Sequence, residues 1–330
     1  MRTRLLRAAT VLGLVAAAIP LSALLSSPAG ATTFNVTSAA NDGPNSLRQA
    51  LADAATNPGD DVIDIQAGLG TITVTSELNW SGNGMVTING NGATLSGPGV
   101  ARGLVDDGGN GFTVNGLTIT GFGGSIDNDA APIVEEGGPI TLNSCTITGN
   151  AIVTTGEDVA GGVLSEGGPV TITDCTITGN SATTPDGDAG GGVLSEGGQV
   201  ILATSTVSGN TASTSFGDAG GGVLSEGGPV TVRPSTINCN VATTTAPDGG
   251  DGAGAILSEG DDITINGSTV VGNAATAVGA SANALLAPGN AINGTGNTIS
   301  DDTSSCAAPP TPPPLTPTAT PVVAPARFTG

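Results

Sequence analysis

Gly161-Gly162-Val163-Leu164-Ser165-Glu166-Gly167-Gly168-Pro169-Val170-Thr171-Ile172-Thr173-Asp174-Cys175-Thr176-Ile177-Thr178-Gly179-Asn180 decides the fold, because it returns one period later from Gly191 and again from Gly221. The landmark pairs Gly137-Gly138, Gly167-Gly168, Gly197-Gly198 and Gly227-Gly228 stand at a strict 30-residue interval. A repeat of that size cannot bury its own apolar face, so it must stack on its neighbours. Equivalent side chains then line up as columns, and function is to be sought in columns.

Within one repeat, Val163-Leu164-Ser165, Val170-Thr171-Ile172 and Thr176-Ile177-Thr178 alternate as strands do, with the aliphatic residue of the threonine unit inside and its flanking residues outside. The T-[LIV]-x unit recurs at Thr94, Thr118, Thr146, Thr176, Thr206, Thr236, Thr269 and Thr298, spaced by 24, 28, 30, 30, 30, 33 and 29 residues. Constant strands joined by one elastic loop, such as Ser181 to Gly192, explain that drift. The expectation is an all-β, right-handed parallel β-helix of three-strand coils, a pectin-lyase-like solenoid with about eight or nine turns. Asn150, Asn180, Asn210, Asn240 and Asn273 each follow the inner aliphatic residue by three positions, with Phe122 and Asp302 at the ends of the series. Asparagine tolerates left-handed backbone, so this ladder is expected to be structural.

The rest of the chain divides around this solenoid. Residues 1–31 read as a signal peptide: Arg2, Arg4 and Arg7, an apolar stretch from Ala8 to Leu25, and Ala29-Gly30-Ala31 as the cleavage site. Residues 32–60 hold a strand from Thr33 and a helix with Ser46 and Gln49 as a capping box; Leu47, Ala50, Leu51 and Ala54 form its apolar stripe. Such a helix suits the cap a solenoid needs over its first open coil. Residues 61–306 are the β-helix, and 307–330 a proline-rich linker or tail without a hydrophobic stop-transfer segment. An exported chain with no membrane-spanning segment after cleavage is the reading.

The full chain has a formal net charge of −21, with 28 acidic residues and no histidine. Beyond the leader its cations are Arg48, Arg102, Arg233 and Arg327. Nucleic acid and anionic membranes are excluded as partners by repulsion. With 54 glycines, one Trp and no Tyr, the core must be aliphatic. Cys239 and Cys306 are the candidate disulfide; Cys145 and Cys175 occupy one position of adjacent repeats, where backbones about 4.8 Å apart would also permit a bond.

The Gly161-Gly162-Val163-Leu164, Gly191-Gly192-Val193-Leu194 and Gly254-Ala255-Ile256-Leu257 tracts, with Ile147 to Asn150 and Ile177 to Asn180, resemble the GGAI and FxxN repeats of polymorphic outer-membrane-protein-type β-helices. The Ser46-Leu47-Arg48-Gln49-Ala50 and Asp61-Val62-Ile63-Asp64 segments are similar to the N-terminal region of CSLREA-type bacterial surface proteins, whose Cys and Glu are here Asn45 and Gln49. The resemblance spans most of 33–303 and implies a secreted or surface β-helix, often an adhesin. It specifies fold better than activity.

Two columns are the candidate sites. Glu136, Glu166, Glu196, Glu226 and Glu259 share one position, and Asp158, Asp188, Asp218 and Asp251 stand in the loops. Carboxylates about 4.8 Å apart repel, so they either splay into solvent or take up a cation, calcium being the candidate. The eight T-[LIV]-x threonines form the second column, a candidate binding face for a protein or surface glycan; its T-x-T ranks also resemble the ice-binding face of some antifreeze solenoids. A polysaccharide lyase or hydrolase is the alternative. Against it, Arg233 is the lone arginine of the regular coils and the chain lacks both histidine and lysine. The expected function is therefore non-catalytic: an adhesive, interaction or structural module with no obligatory cofactor.

Overall fold

The computed structural model describes residues 31–245, 250–304 and 306; the leader, apart from Ala31, and the tail 307–330 lie outside them. The chain winds as a parallel β-helix of about nine turns whose strands pair only with their equivalents in the coils before and after. Register is kept residue by residue: Thr176 lies against Thr206, and Thr206 against Thr236.

Each central coil holds five strands, not three. A ten-stranded base sheet runs from Thr33–Val36 to Ile292–Thr295, and a nine-stranded threonine sheet from Thr71–Thr73 to Thr298–Ser300. An eight-stranded leucine sheet runs from Leu78–Trp80 to Leu285–Leu286. The segment expected to be one long loop supplies the remaining two, a six-stranded sheet containing Ser181–Thr184 and a five-stranded sheet containing Ala189–Gly190. Those strands escaped notice because Ser-Ala-Thr-Thr and Ala-Gly have little apolar content; what holds them is stacking on the coils to either side.

The main core is aliphatic, as composition requires. Ile147, Ile177, Val207, Ile237 and Val270 form one buried column, and Ile140, Val170, Val200, Val230 and Ile263 another. Aromatic rings concentrate in the early coils, where Trp80 meets Phe112 edge to face at 5.3 Å.

At the N-terminal end, α1 (Leu47–Thr56) buries Leu47, Ala50, Leu51 and Ala54. Ser46 caps it by accepting the Gln49 N–H at 3.2 Å. The reciprocal half of the expected capping box does not form: the Gln49 amide turns forward and donates to Asp53 at 2.7 Å. Arg48 ties the helix to the solenoid by donating to the carbonyls of Ser76 and Glu77. No helix among the described residues is long and apolar enough to cross a membrane.

The asparagine ladder is structural for a different reason than its turn propensity. The left-handed residue at this corner is the one before it, Gly149, Gly179, Gly209 or Gly272, with Cys239 taking the same conformation at φ 58°. Asparagine is buried instead. The Asn180 amide donates to Asn210 Oδ1 at 3.0 Å and to the Ile147 carbonyl at 3.0 Å, while Asn210 Oδ1 also accepts the Asn180 backbone N–H. The same set repeats from Asn150 to Asn273. Phe122 joins at one end only as a backbone donor to Asn150, and Asp302 is exposed.

A second ladder contains the free cysteines. Cys145 N–H donates to Cys175 Sγ at 3.2 Å, Cys175 N–H to Ser205 Oγ at 3.1 Å, and Ser205 N–H to Ser235 Oγ at 3.0 Å. The two thiols thus stand where serine hydroxyls stand in later coils, unbonded and buried. Cys239 and Cys306 do form the disulfide, with Cα atoms 5.4 Å apart.

Replacing Asn210 by Ala strands the buried Asn180 amide and the Ile177 carbonyl. Urea unfolding is expected to show a loss of about 2–4 kcal/mol. Thr176→Ser on the exposed face should cost under about 0.5 kcal/mol by the same measurement.

Candidate functional site

The short strand Ala189–Gly190 turns back through Gly191 and Gly192 onto the leucine strand Val193–Ser195. A Cβ on Gly190 would stand 2.4 Å from the Val193 carbonyl oxygen, and Gly220 repeats this against Val223 at 2.3 Å. Only glycine permits so close an approach. The two strands form an arch with its own small core, separate from the main one, of Leu164, Leu194, Leu224 and Leu257 against Ala160 and Ala253.

Both acidic columns sit at the mouth of this arch. Each aspartate directly precedes the short strand and each glutamate directly follows the leucine strand, so folding the arch brings them together, offset by one coil. Asp158 faces Glu196, Asp188 faces Glu226 and Asp218 faces Glu259, each aspartate close enough to act on the glutamate opposite. The aspartates are held firmly: Asp158 Oδ1 accepts the Asp188 N–H at 2.7 Å, Asp188 Oδ1 the Asp218 N–H at 2.6 Å, and Asp218 Oδ1 the Asp251 N–H at 2.6 Å. Among the described residues no backbone N–H bonds to Glu196, Glu226 or Glu259, and Glu226 Oε1 is buried without a hydrogen-bond partner.

The electrostatic consequence falls on the glutamates. Burial, with the neighbouring aspartate charge, pushes Glu196 up to about 8, Glu226 to about 9 and Glu259 to about 8. Glu166 rises to about 7 through burial and the charges of Asp129 and Glu136. With values at or above 8, Glu196, Glu226 and Glu259 hold their protons at neutral pH. Oxygens of Asp158, Asp188 and Glu226 also lie within 4.8 Å of one another, the set most able to hold a cation.

The N-terminal end of the column is neutralised by a side-chain cation instead. Arg102, nearly buried, places Nη2 3.2 Å from Glu136 and 3.5 Å from Asp107, and Nε 3.9 Å from Glu77. Burial and the neighbouring Asp107 still raise the Glu136 carboxyl, and Arg102 offsets only part of that rise. Just inside, Asp106 and Glu135 are fully buried on adjacent strands, where later coils carry Ser165, Ser195 and Ser225. Burial raises both carboxyls, and backbone N–H groups of Gly108, Gly111 and Gly137 bond to them.

The threonine column stands on a different face. All eight predicted threonines lie in register, and the structure adds a ninth, Thr71, at the start of the sheet. Their second rank is Thr73, Ser96, Thr120, Thr148, Thr178, Ser208, Asn238, Val271 and Ser300, so no residue of this face is charged. The sequence reading missed Asp129, whose Oδ1 accepts the Asp158 N–H at 3.0 Å. Its Asp-Ala-Ala context matches Asp188-Ala189-Gly190 closely enough to have revealed it. Two concavities, of about 470 and 580 Å³, lie at the solenoid ends, one beside Phe34 and Gln49 and the other beside Leu285 and Ile299.

No protein-family model matches this chain, and no curated protein does so either.

The raised glutamates fix the sign of the pH dependence. The folded chain holds protons that the unfolded chain releases near the ordinary value of 4.5. Their contribution to stability is complete below that value and is lost as pH rises through about 8 to 9. Urea midpoints are expected to fall from pH 5 to pH 9, and Glu226→Gln, which keeps a donor at neutral charge, should flatten the fall.

Proposed function

We propose that the chain is a secreted or cell-surface, non-catalytic β-helix that meets a protein or surface-glycan partner through the threonine sheet. The observation that supports this most is the contrast between charge and face. In a chain of net charge −21, the outward residues of nine in-register strands are hydroxyls, one amide and one valine, while acids collect at the arch. A regular uncharged array offers donors and acceptors without a desolvated charge. The Gly-Gly-Val-Leu and Ile-x-x-Asn tracts, with their likeness to polymorphic outer-membrane-protein-type and CSLREA-type proteins, and the leader-like residues 1–31, favour placement outside the cell.

The enzyme reading finds little to work with. Arg102 has carboxylates beside it, but it is nearly buried, ion-paired and permanently protonated, and so poorly suited to accept a proton. The clustered oxygens of Asp158, Asp188 and Glu226, within 4.8 Å of one another, stand closer than the roughly 5 to 9.5 Å separations that flank a glycosidic bond. A second reading has a specific observation behind it: two parallel ranks of hydroxyls at about 4.8 Å along the axis form the flat periodic array that ordered water could match.

The test is a charged face, made as Thr146→Lys, Thr176→Lys and Thr206→Lys together. Residues 32–330 and this variant are compared for retention on cellulose, chitin and bacterial envelope preparations, and for shaping of a growing ice crystal. Retention by the parent and a loss of tenfold or more in the variant, at unchanged melting temperature, is the expected result. Retention equal in both, or release of soluble sugar from any of these polymers, would overturn the proposal.

A further inference from the structure

The two ends of the solenoid are finished differently. At the N-terminal end α1 lays Leu47, Ala50, Leu51 and Ala54 against the first coil. At the other end all five sheets finish in one coil, at Ala274–Thr276, Ser281–Ala282, Leu285–Leu286, Ile292–Thr295 and Thr298–Ser300, and among the described residues no further strand pairs with their outer edges. The core columns are cut open there. Ile263 and Val270 are 0 % exposed, whereas Ile292 and Ile299, their partners in the last coil, are each 49 % exposed. Leu285 and Leu286 are likewise only partly buried, where Ile256 and Leu257 are wholly buried. We propose that this end face is a dimer interface: two copies of the chain meet C-terminal coil to C-terminal coil about a two-fold axis, and each closes the open core of the other.

The occupant follows from what the face requires. Its edges are rows of backbone N–H and C=O groups beside an apolar interior, so full cover takes strands as well as apolar side chains. The sequence beyond Cys306 is unsuited to supply another coil: it has proline at 309, 310, 312, 313, 314, 317, 321 and 325, and proline has no N–H to give to a ladder. A second copy brings the matching set. A two-fold axis normal to the base sheet reverses the direction of Ile292–Thr295 and keeps its inner side facing inward. That strand then pairs with its own copy as an antiparallel neighbour, and Ile292 stays on the core side of a sheet that runs on from one copy into the other. The concavity of about 580 Å³ beside Leu285, Ile292 and Ile299 lies on this face and gives apolar side chains of the second copy a place to enter. Size agrees as well: the last turn, from Thr269 to Thr298, spans 29 residues. A standard interface uses roughly 20–30 residues a side.

Charge sets the terms of the contact. Asp262, Asp301 and Asp302 stand at this end and Arg233 lies two coils back, so the faces repel at long range and hold through apolar burial and strand pairing. A head-to-tail arrangement, which would grow into a fibre, is blocked because α1 occupies the opposite end. The Cys239–Cys306 disulfide fastens the end of the last coil to an earlier one and keeps the face in shape.

The test is sedimentation velocity of residues 32–330 over a hundredfold range of concentration, in salt high enough to screen the end carboxylates. The expected result is a monomer that converts to a species of twice its mass, and to no larger one, as concentration rises. Ile292→Asp with Ile299→Asp, at positions already half exposed in the single chain, is expected to raise the dissociation constant a hundredfold or more with an unchanged circular dichroism spectrum. Peptides covering 285–300 should gain hydrogen-exchange protection in the dimer, while threonine-sheet peptides of the middle coils should not. A chain that stays monomeric throughout overturns the proposal, and so does a dimer that the double variant forms equally well. A dimer abolished by Thr146→Lys, Thr176→Lys and Thr206→Lys together would place the contact on the threonine sheet and overturn it too. If the double variant does not fold, Ile299→Asp alone is read in the same way.

Discussion

Stacking in register at about 4.8 Å is the constraint from which the rest of this structure follows. It multiplies every choice of side chain by the number of coils: an apolar residue becomes a core column, and a buried amide becomes a chain of hydrogen bonds. A carboxylate becomes a line of like charges. The first two are self-satisfying, since an asparagine carries donors and an acceptor and can bond to its own copy above and below. A carboxylate cannot, because it only accepts. The arch is where that incompatibility is resolved.

Its resolution differs along the axis. Near the N-terminal end Arg102 supplies positive charge to Glu77, Asp107 and Glu136. Deeper in, where no cationic side chain is present among the described residues, backbone N–H groups bond the aspartates and burial raises the glutamate carboxyls. These two environments lie within one position of the repeat, and burial raises the carboxyl in both. They also separate the acidic arch from the uncharged threonine sheet, so that a chain with a large negative charge can present a neutral face.

The repeat period, the columns, the capping helix and the disulfide were legible in the sequence because each has a local signature: Gly-Gly pairs, T-[LIV]-x, an apolar stripe, and cysteines at the end of the solenoid. The two extra strands were not, since Ser181-Ala182-Thr183-Thr184 and Ala189-Gly190 owe their strand conformation to neighbours in space. Period alone also could not show that Glu196 faces Asp158 instead of Asp188. That offset depends on how the arch closes, which is set by the contact of Gly190 with Val193. Arg102 was visible as one of few cations, but its partners come from Glu77, Asp107 and Glu136, remote in sequence and joined only by the winding.

Titration of the glutamate side chains by carbon NMR, in the intact chain labelled at the carboxyl carbon, tests this account most directly. It predicts that Glu196, Glu226 and Glu259 remain protonated at pH 6.5 and titrate near 8 to 9, apart from the exposed Glu157. Titration of all three with the exposed carboxyls near the ordinary value of 4.5 would mean that the columns are solvated and unpaired, and would contradict it.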